Sequence, residues 1–92
     1  QAHLRMTQFE PDDHMSEADL DWMRRTVAFN PAPASFQKVA AAMAWNGHPE
    51  EAGLWLRRMC KVVIEAQCDL VRRSWDRMAS NDPRIAAVPW PK

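Results

Sequence analysis

Apolar positions recur along this chain with a helical period, and prolines divide them into four blocks. After Ser16, residues 17–29 carry Leu20, Met23 and Val27 on one stripe, with Glu17 and Asp19 at the start and Arg24 and Arg25 towards the end. Ser is a favoured N-cap, and acids near a helix's N-terminus and bases near its C-terminus match the helix dipole. Asn30-Pro31-Ala32-Pro33 closes that block, since Pro removes a ladder donor and restrains the residue before it. A second helix is predicted over 35–46, where Phe36, Val39, Ala40, Met43 and Ala44 define the apolar face. Asn46-Gly47 stops it and Pro49 opens a third helix over 49–62, with Ala52, Trp55, Leu56, Met59 and Val63 on the buried stripe. The short connection makes these two helices antiparallel neighbours. A fourth helix is predicted over 65–79, its stripe running from Ile64 through Cys68, Val71, Trp75 and Met78. Ser80-Asn81-Asp82-Pro83 ends it.

These blocks predict an all-α fold: an antiparallel array of about four helices with irregular termini. Residues 1–15 form an irregular arm without a sustained period, in which Leu4, Met6 and Phe9 are available to dock either as an extended segment or as a short helix. Residues 16–80 form the helical domain and 81–92 a Pro-rich tail, with Trp90 packing back as an irregular lid. Composition agrees, with fourteen Ala against ten Val, Ile or Thr, two Gly and no Tyr. The longest apolar run, Val39–Trp45, is far short of the ~20 residues that cross a bilayer.

Charge changes the picture more than composition does. Twelve bases balance twelve acids, which opposes a nucleic-acid module such as a helix-turn-helix DNA binder. The balance hides a gradient, however: residues 1–21 sum to −5, 22–51 to +1 and 52–92 to +4. Unlike ends packed together, or a solvated surface, account for this. So does a basic face meeting anionic glycan or lipid headgroups.

Candidate chemistry is sparse. His3, His14 and His48 lack metal-ligand spacing and read as surface residues. Glu50 and Glu51 occupy a first helical turn, where acids favour the dipole. No catalytic constellation, metal site or cofactor motif is predicted. Three Arg pairs stand beside tryptophans: Arg24-Arg25 with Trp22, Arg57-Arg58 with Trp55, and Arg72-Arg73 with Trp75. Arginines laid over aromatic anchors explain the pattern. Alternatively Arg57, Arg58, Arg72 and Arg73 clamp a diphosphate or acidic sugar while a Trp face stacks on a pyranose. Cys60 and Cys68 lie across the turn between the third and fourth helices, either as a disulfide or as two buried thiols.

Within residues 36–64, Ala40, Met43, Gly47, Ala52, Leu56 and Met59 fall at the spacings of a tetratricopeptide unit. Small residues at Ala40 and Ala52 let two helices approach and Gly47 turns the chain, although Val63-Ile64 stands where the unit usually has Pro. The alternative is a generic helical hairpin.

The strings Val27-Ala28-Phe29-Asn30-Pro31-Ala32-Pro33-Ala34 and Met43-Ala44-Trp45-Asn46-Gly47-His48-Pro49-Glu50-Glu51-Ala52 carry a more specific likeness. Leu56-Arg57-Arg58-Met59-Cys60, Gln67-Cys68 and Trp75 extend it. Over about residues 15–90 the chain resembles the carboxy-terminal domain of the bacterial O-antigen ligase and polymerase (Wzy-like) family. Within that family it resembles most the O-oligosaccharyltransferases that glycosylate pilins and other exported proteins. The resemblance implies a large membrane enzyme that transfers glycan from an undecaprenyl diphosphate carrier. Its tail would lie on the periplasmic face of the bacterial inner membrane. The family's catalytic residues belong to other regions, so no catalytic residue is carried over.

The implied partners are the parent enzyme's membrane portion and an acceptor protein or glycan-lipid. A chain beginning at Gln1 without an initiating Met fits a piece of such an enzyme. An oxidising compartment also turns the cysteine pair towards the disulfide. The expected function is a noncatalytic accessory domain that docks acceptor or partner. The alternative is a tetratricopeptide-type protein-interaction module unrelated to glycan transfer.

Overall fold

The first helix begins where the sequence can satisfy its own orphan amides. In the computed structural model, which describes residues 13–90, Ser16 caps α1 (Glu17–Phe29) by accepting from the Asp19 amide at 3.2 Å. The Asp19 carboxylate returns the bond to the Ser16 amide at 3.2 Å, so Asp fills the place usually held by Glu or Gln in a capping box. Leu20, Met23 and Val27 are all buried, as their spacing predicts.

Helix α2 spans Pro33–Trp45 and begins two positions before the expected Ser35. Pro33 opens the first turn rather than closing the preceding loop, because its missing N–H and fixed φ suit that position. Every residue from Val39 to Ala44 is buried, Ala41 and Ala42 included. A helix apolar on all sides belongs at the centre of a bundle, and α2 touches each of the other helices.

Helix α3 spans Pro49–Val62 and α4 spans Glu65–Ala79, at the predicted bounds. The α2–α3 connection is Asn46-Gly47-His48, and Gly47 takes φ +88° there. So short a turn forces an antiparallel hairpin, and the fully buried Ala40 and Ala52 let its helices approach. Ile64 departs from its expected place on the α4 stripe. It stands before the helix in extended backbone (φ −70°, ψ 159°) and is 69% exposed.

A fifth helix, α5 (Pro83–Ala86), lies in what the sequence presents as irregular tail. Asp82 caps it by accepting from the Arg84 amide at 3.0 Å, and Ile85 and Val88 join the core. Trp90 packs back as expected, edge-on to Trp75 with ring centroids 6.2 Å apart. The returning chain lies against α3, where Pro89 crosses Gly53 so closely that a Cβ there would stand 2.6 Å from the Pro89 carbonyl oxygen. Among the described residues there is no strand, and no helix is long and apolar enough to cross a membrane. Leu4, Met6, Phe9 and His3 lie outside the described residues.

Candidate functional site

The cysteines are joined. Cys60 in the last turn of α3 and Cys68 in the first turns of α4 form a disulfide, with Cα atoms 5.1 Å apart. The bond spans the Val63-Ile64 connection and anchors the start of α4, whose N-cap Ile64 offers no side-chain acceptor. Closing so short a loop stabilises by ~2.5 kcal/mol on the chain-entropy account.

The arginines separate into different environments. Arg58 places its guanidinium 4.8 Å from the ring centre of Trp55, one turn earlier on α3. Arg72 does the same over Trp90 at 4.7 Å, although the sequence pairs it with Trp75, which is buried beneath. Arg57 and Arg73 are exposed. Arg58 and Arg72 line different grooves.

The Arg72 groove has a volume of about 560 Å³ and is walled by Glu65, Cys68, Asp69, Asp76 and Trp90. Three carboxylates around one guanidinium disfavour a free diphosphate, whereas acceptors, a fork of donors and an indole beside them suit sugar hydroxyls or a basic acceptor segment. The Arg58 groove, about 340 Å³, is apolar. Val27, Ala28, Pro31, Phe36, Trp55 and Val62 form it, with Arg58 and Lys61 contributing the charge.

Glu51 has a role beyond the helix dipole. It accepts a two-pronged contact from Arg24, Nε to Oε2 at 2.6 Å and Nη2 to Oε1 at 2.8 Å, and a third bond from Trp55 Nε1 at 3.0 Å. The Arg24 hydrogen bond holds the Glu51 carboxyl below the usual carboxylate range, burial opposes it, and Trp55 adds to the lowering. The same bond raises Arg24. This cluster clamps α1 to α3. The Glu51–Trp55 spacing of four is legible on a helix, but Arg24 lies 27 positions away and only the fold brings it near.

The end where α2 finishes and α3 begins is tied by similar contacts. Trp45 Nε1 donates to Asp82 at 2.8 Å, the Met15 amide donates to Asn46 Oδ1 at 3.1 Å, and Arg84 meets Asp13 at 3.2 Å. Burial pushes the Asp82 carboxyl up, but the Trp45 hydrogen bond and the Arg84 amide and charge outweigh it and bring it down. The Arg84 hydrogen bond lowers Asp13. His48 pairs with Glu17 at 3.1 Å on the surface.

These features define an all-α, disulfide-bonded helical domain whose surface carries the Arg72 and Arg58 grooves. The sequence model described as "virulence factor membrane-bound polymerase, C-terminal" matches residues 1–75. The chain belongs to that family and is a Wzy-like polymerase carboxy-terminal domain. No curated protein and no solved structure matches it.

Proposed function

We propose that this chain is a noncatalytic accessory domain of a membrane glycan ligase or polymerase, held on the periplasmic face of the bacterial inner membrane. Its role is to dock the acceptor or a partner of glycan transfer. The disulfide carries the compartment: a Cys60–Cys68 bond is maintained where thiols are oxidised and is rare in a bacterial cytosol. Family membership supplies the membrane enzyme. The Arg72–Trp90 groove supplies a surface whose donors, acceptors and aromatic edge fit a sugar-bearing or basic acceptor.

Within that reading, the likeness carried by residues 27–34 and 43–52 favours a protein O-oligosaccharyltransferase acting on undecaprenyl-diphosphate-linked glycan. The α2–α3 hairpin, closed by Gly47 and packed through Ala40 and Ala52, favours a tetratricopeptide-like docking scaffold over residues 16–80.

The test is removal of this domain from the full-length enzyme, followed by a glycan-transfer assay on membranes. Retained transfer with altered acceptor choice is the expected result. Complete loss of transfer with normal membrane insertion would instead make the domain part of the catalytic assembly. Replacing Arg57, Arg58, Arg72 and Arg73 together with Ala probes the arginines. Unchanged binding of acceptor and carrier would remove them from the docking surface.

A further inference from the structure

One end of the bundle combines projecting apolar side chains with bases. There α1 finishes, α2 begins, α3 finishes and α4 begins, as the shared groove of Val27, Pro31, Phe36 and Val62 shows. Phe29 is 91% exposed at this end, Val62 58% and Ile64 69%. These side chains lie outside the core, and of the large exposed apolar residues these three share one end.

The charge around them has one sign over long stretches. No acid occurs between Trp22 and Pro49, nor between Ala52 and Ile64, while Arg57, Arg58 and Lys61 lie exposed on the last turns of α3. Glu65 at the start of α4 is the acid nearest in sequence to the tip. Asp13, Glu17, Asp19, Glu50 and Asp82 lie around the helix termini at the opposite end. Arg77 and Arg84 also stand at that end, and Glu65 and Asp69 lie in the first turns of α4, so the tip is distinguished by the exposed bases of α3 rather than by a full separation of charge.

The geometry points to the Phe29–Val62–Ile64 end as a surface that rests on an anionic phospholipid leaflet. Phe29 and Ile64 enter the boundary between headgroups and acyl chains, while Arg58 and Lys61 meet lipid phosphates. Apolar insertion combined with basic attraction is the physical basis of reversible interfacial binding. The family is membrane-bound, so a bilayer lies within reach of the domain. The Cys60–Cys68 bond holds the Val62–Ile64 connection in place, which lowers the ordering cost of presenting it. The inference does not rest on the acceptor-docking reading, whose groove contains Arg72 and Trp90, although Arg58 is tested under both.

The test uses the 92-residue chain and flotation with vesicles of phosphatidylethanolamine and phosphatidylglycerol, compared with vesicles of phosphatidylcholine alone. The chain is expected to float with the anionic vesicles, less so with the neutral ones, and to release as salt is raised. Arg58→Glu with Lys61→Glu should lower the partition coefficient at least about 25-fold, from about fivefold per base. Phe29→Ser with Ile64→Ser should lower it about tenfold or more.

All four side chains are exposed, and helical circular dichroism checks that the variants keep the fold. A separate readout uses Ile64→Trp: bromolipids should quench an emission component that the parent chain lacks. No partition onto anionic vesicles, partition unchanged by both double substitutions, or no added quenching overturns the inference. A self-association seen in sedimentation and abolished by Phe29→Ser with Ile64→Ser would give the surface to a second copy, and overturns it equally.

Discussion

Replacing Gly53 with Ala sets two opposed effects against each other inside one helix. Gly53 is an interior position of α3, where Ala is preferred by ~1 kcal/mol on propensity. A methyl group there would meet the Pro89 carbonyl oxygen at 2.6 Å and Pro89 Cγ at 3.3 Å. Ordinary carbon–oxygen contact begins near ~3.3 Å, so the backbone at Pro89 must withdraw by about 0.7 Å. Withdrawal loosens Trp90 from its edge contact with Trp75 and from Arg72. Overpacking of this kind costs ~1–3 kcal/mol.

In the full chain the substitution is therefore expected to be neutral to destabilising by ~2 kcal/mol. In a chain ending at Val88 the obstructing residue is gone, and the same substitution should stabilise by ~1 kcal/mol. Urea unfolding followed by far-ultraviolet circular dichroism gives both values from the shift in midpoint. The coupling between Gly53 and residues 89–92 should thus be ~1–3 kcal/mol. Equal effects of the substitution in the two chains, within ~0.5 kcal/mol, would refute the close crossing of Pro89 over α3.

The disulfide predicts no titratable thiol in unreduced, denatured protein. Its reduction should lower stability by ~2.5 kcal/mol, read from the melting temperature with and without reductant. Glu51 is lowered in the folded state chiefly by the Arg24 hydrogen bond, so it binds protons more readily when unfolded. Its contribution is present above the ordinary carboxylate range and is lost as pH falls through the lower folded value. Glu51→Gln should flatten this acid limb of the stability–pH curve, and an unchanged limb would exclude the pair as its source. At neutral pH, Arg24→Ala should cost ~1–2 kcal/mol, below the usual value for a buried charged bond because both partners are partly exposed. Gly47→Ala meets no neighbour but must hold φ +88°, so it should cost ~1 kcal/mol, and Gly47→Asn should cost less because Asn tolerates that region.

The sequence reveals the four main helices because their apolar residues keep a helical period between strong breakers. Ser16, Gly47 and Pro49 mark their ends through local chemistry, and local chemistry is what a sequence displays directly. Pro33 is ambiguous by nature, since the same ring ends one helix and starts another; the start of α2 shifts accordingly. Helix α5 is too short for any period to show, and only Asp82 before Pro83 hints at its cap. The site is less legible. The Cys60–Cys68 spacing allows a bond without requiring it, and the family likeness was needed to favour it. The Arg24–Glu51–Trp55 cluster and the Arg72–Trp90 contact join distant positions through the packing of helices, so no local pattern announces them. Reading Arg72 with Trp75 follows the sequence neighbour, while the partner beneath its guanidinium comes from the returning tail.

The burial of residues 39–44 of α2 on every side also determines how the domain opens. Backbone amides from Val39 to Ala44 lie in the helix that all the others cover, so no single peripheral helix can leave and expose all of its faces. Their hydrogen exchange should report opening of the whole domain, and α5 with the Trp90 tail should exchange through a smaller, separate event. The central alanines of α2 thus mark the cooperative heart of the fold, and a peripheral surface could be remodelled while those amides remain protected.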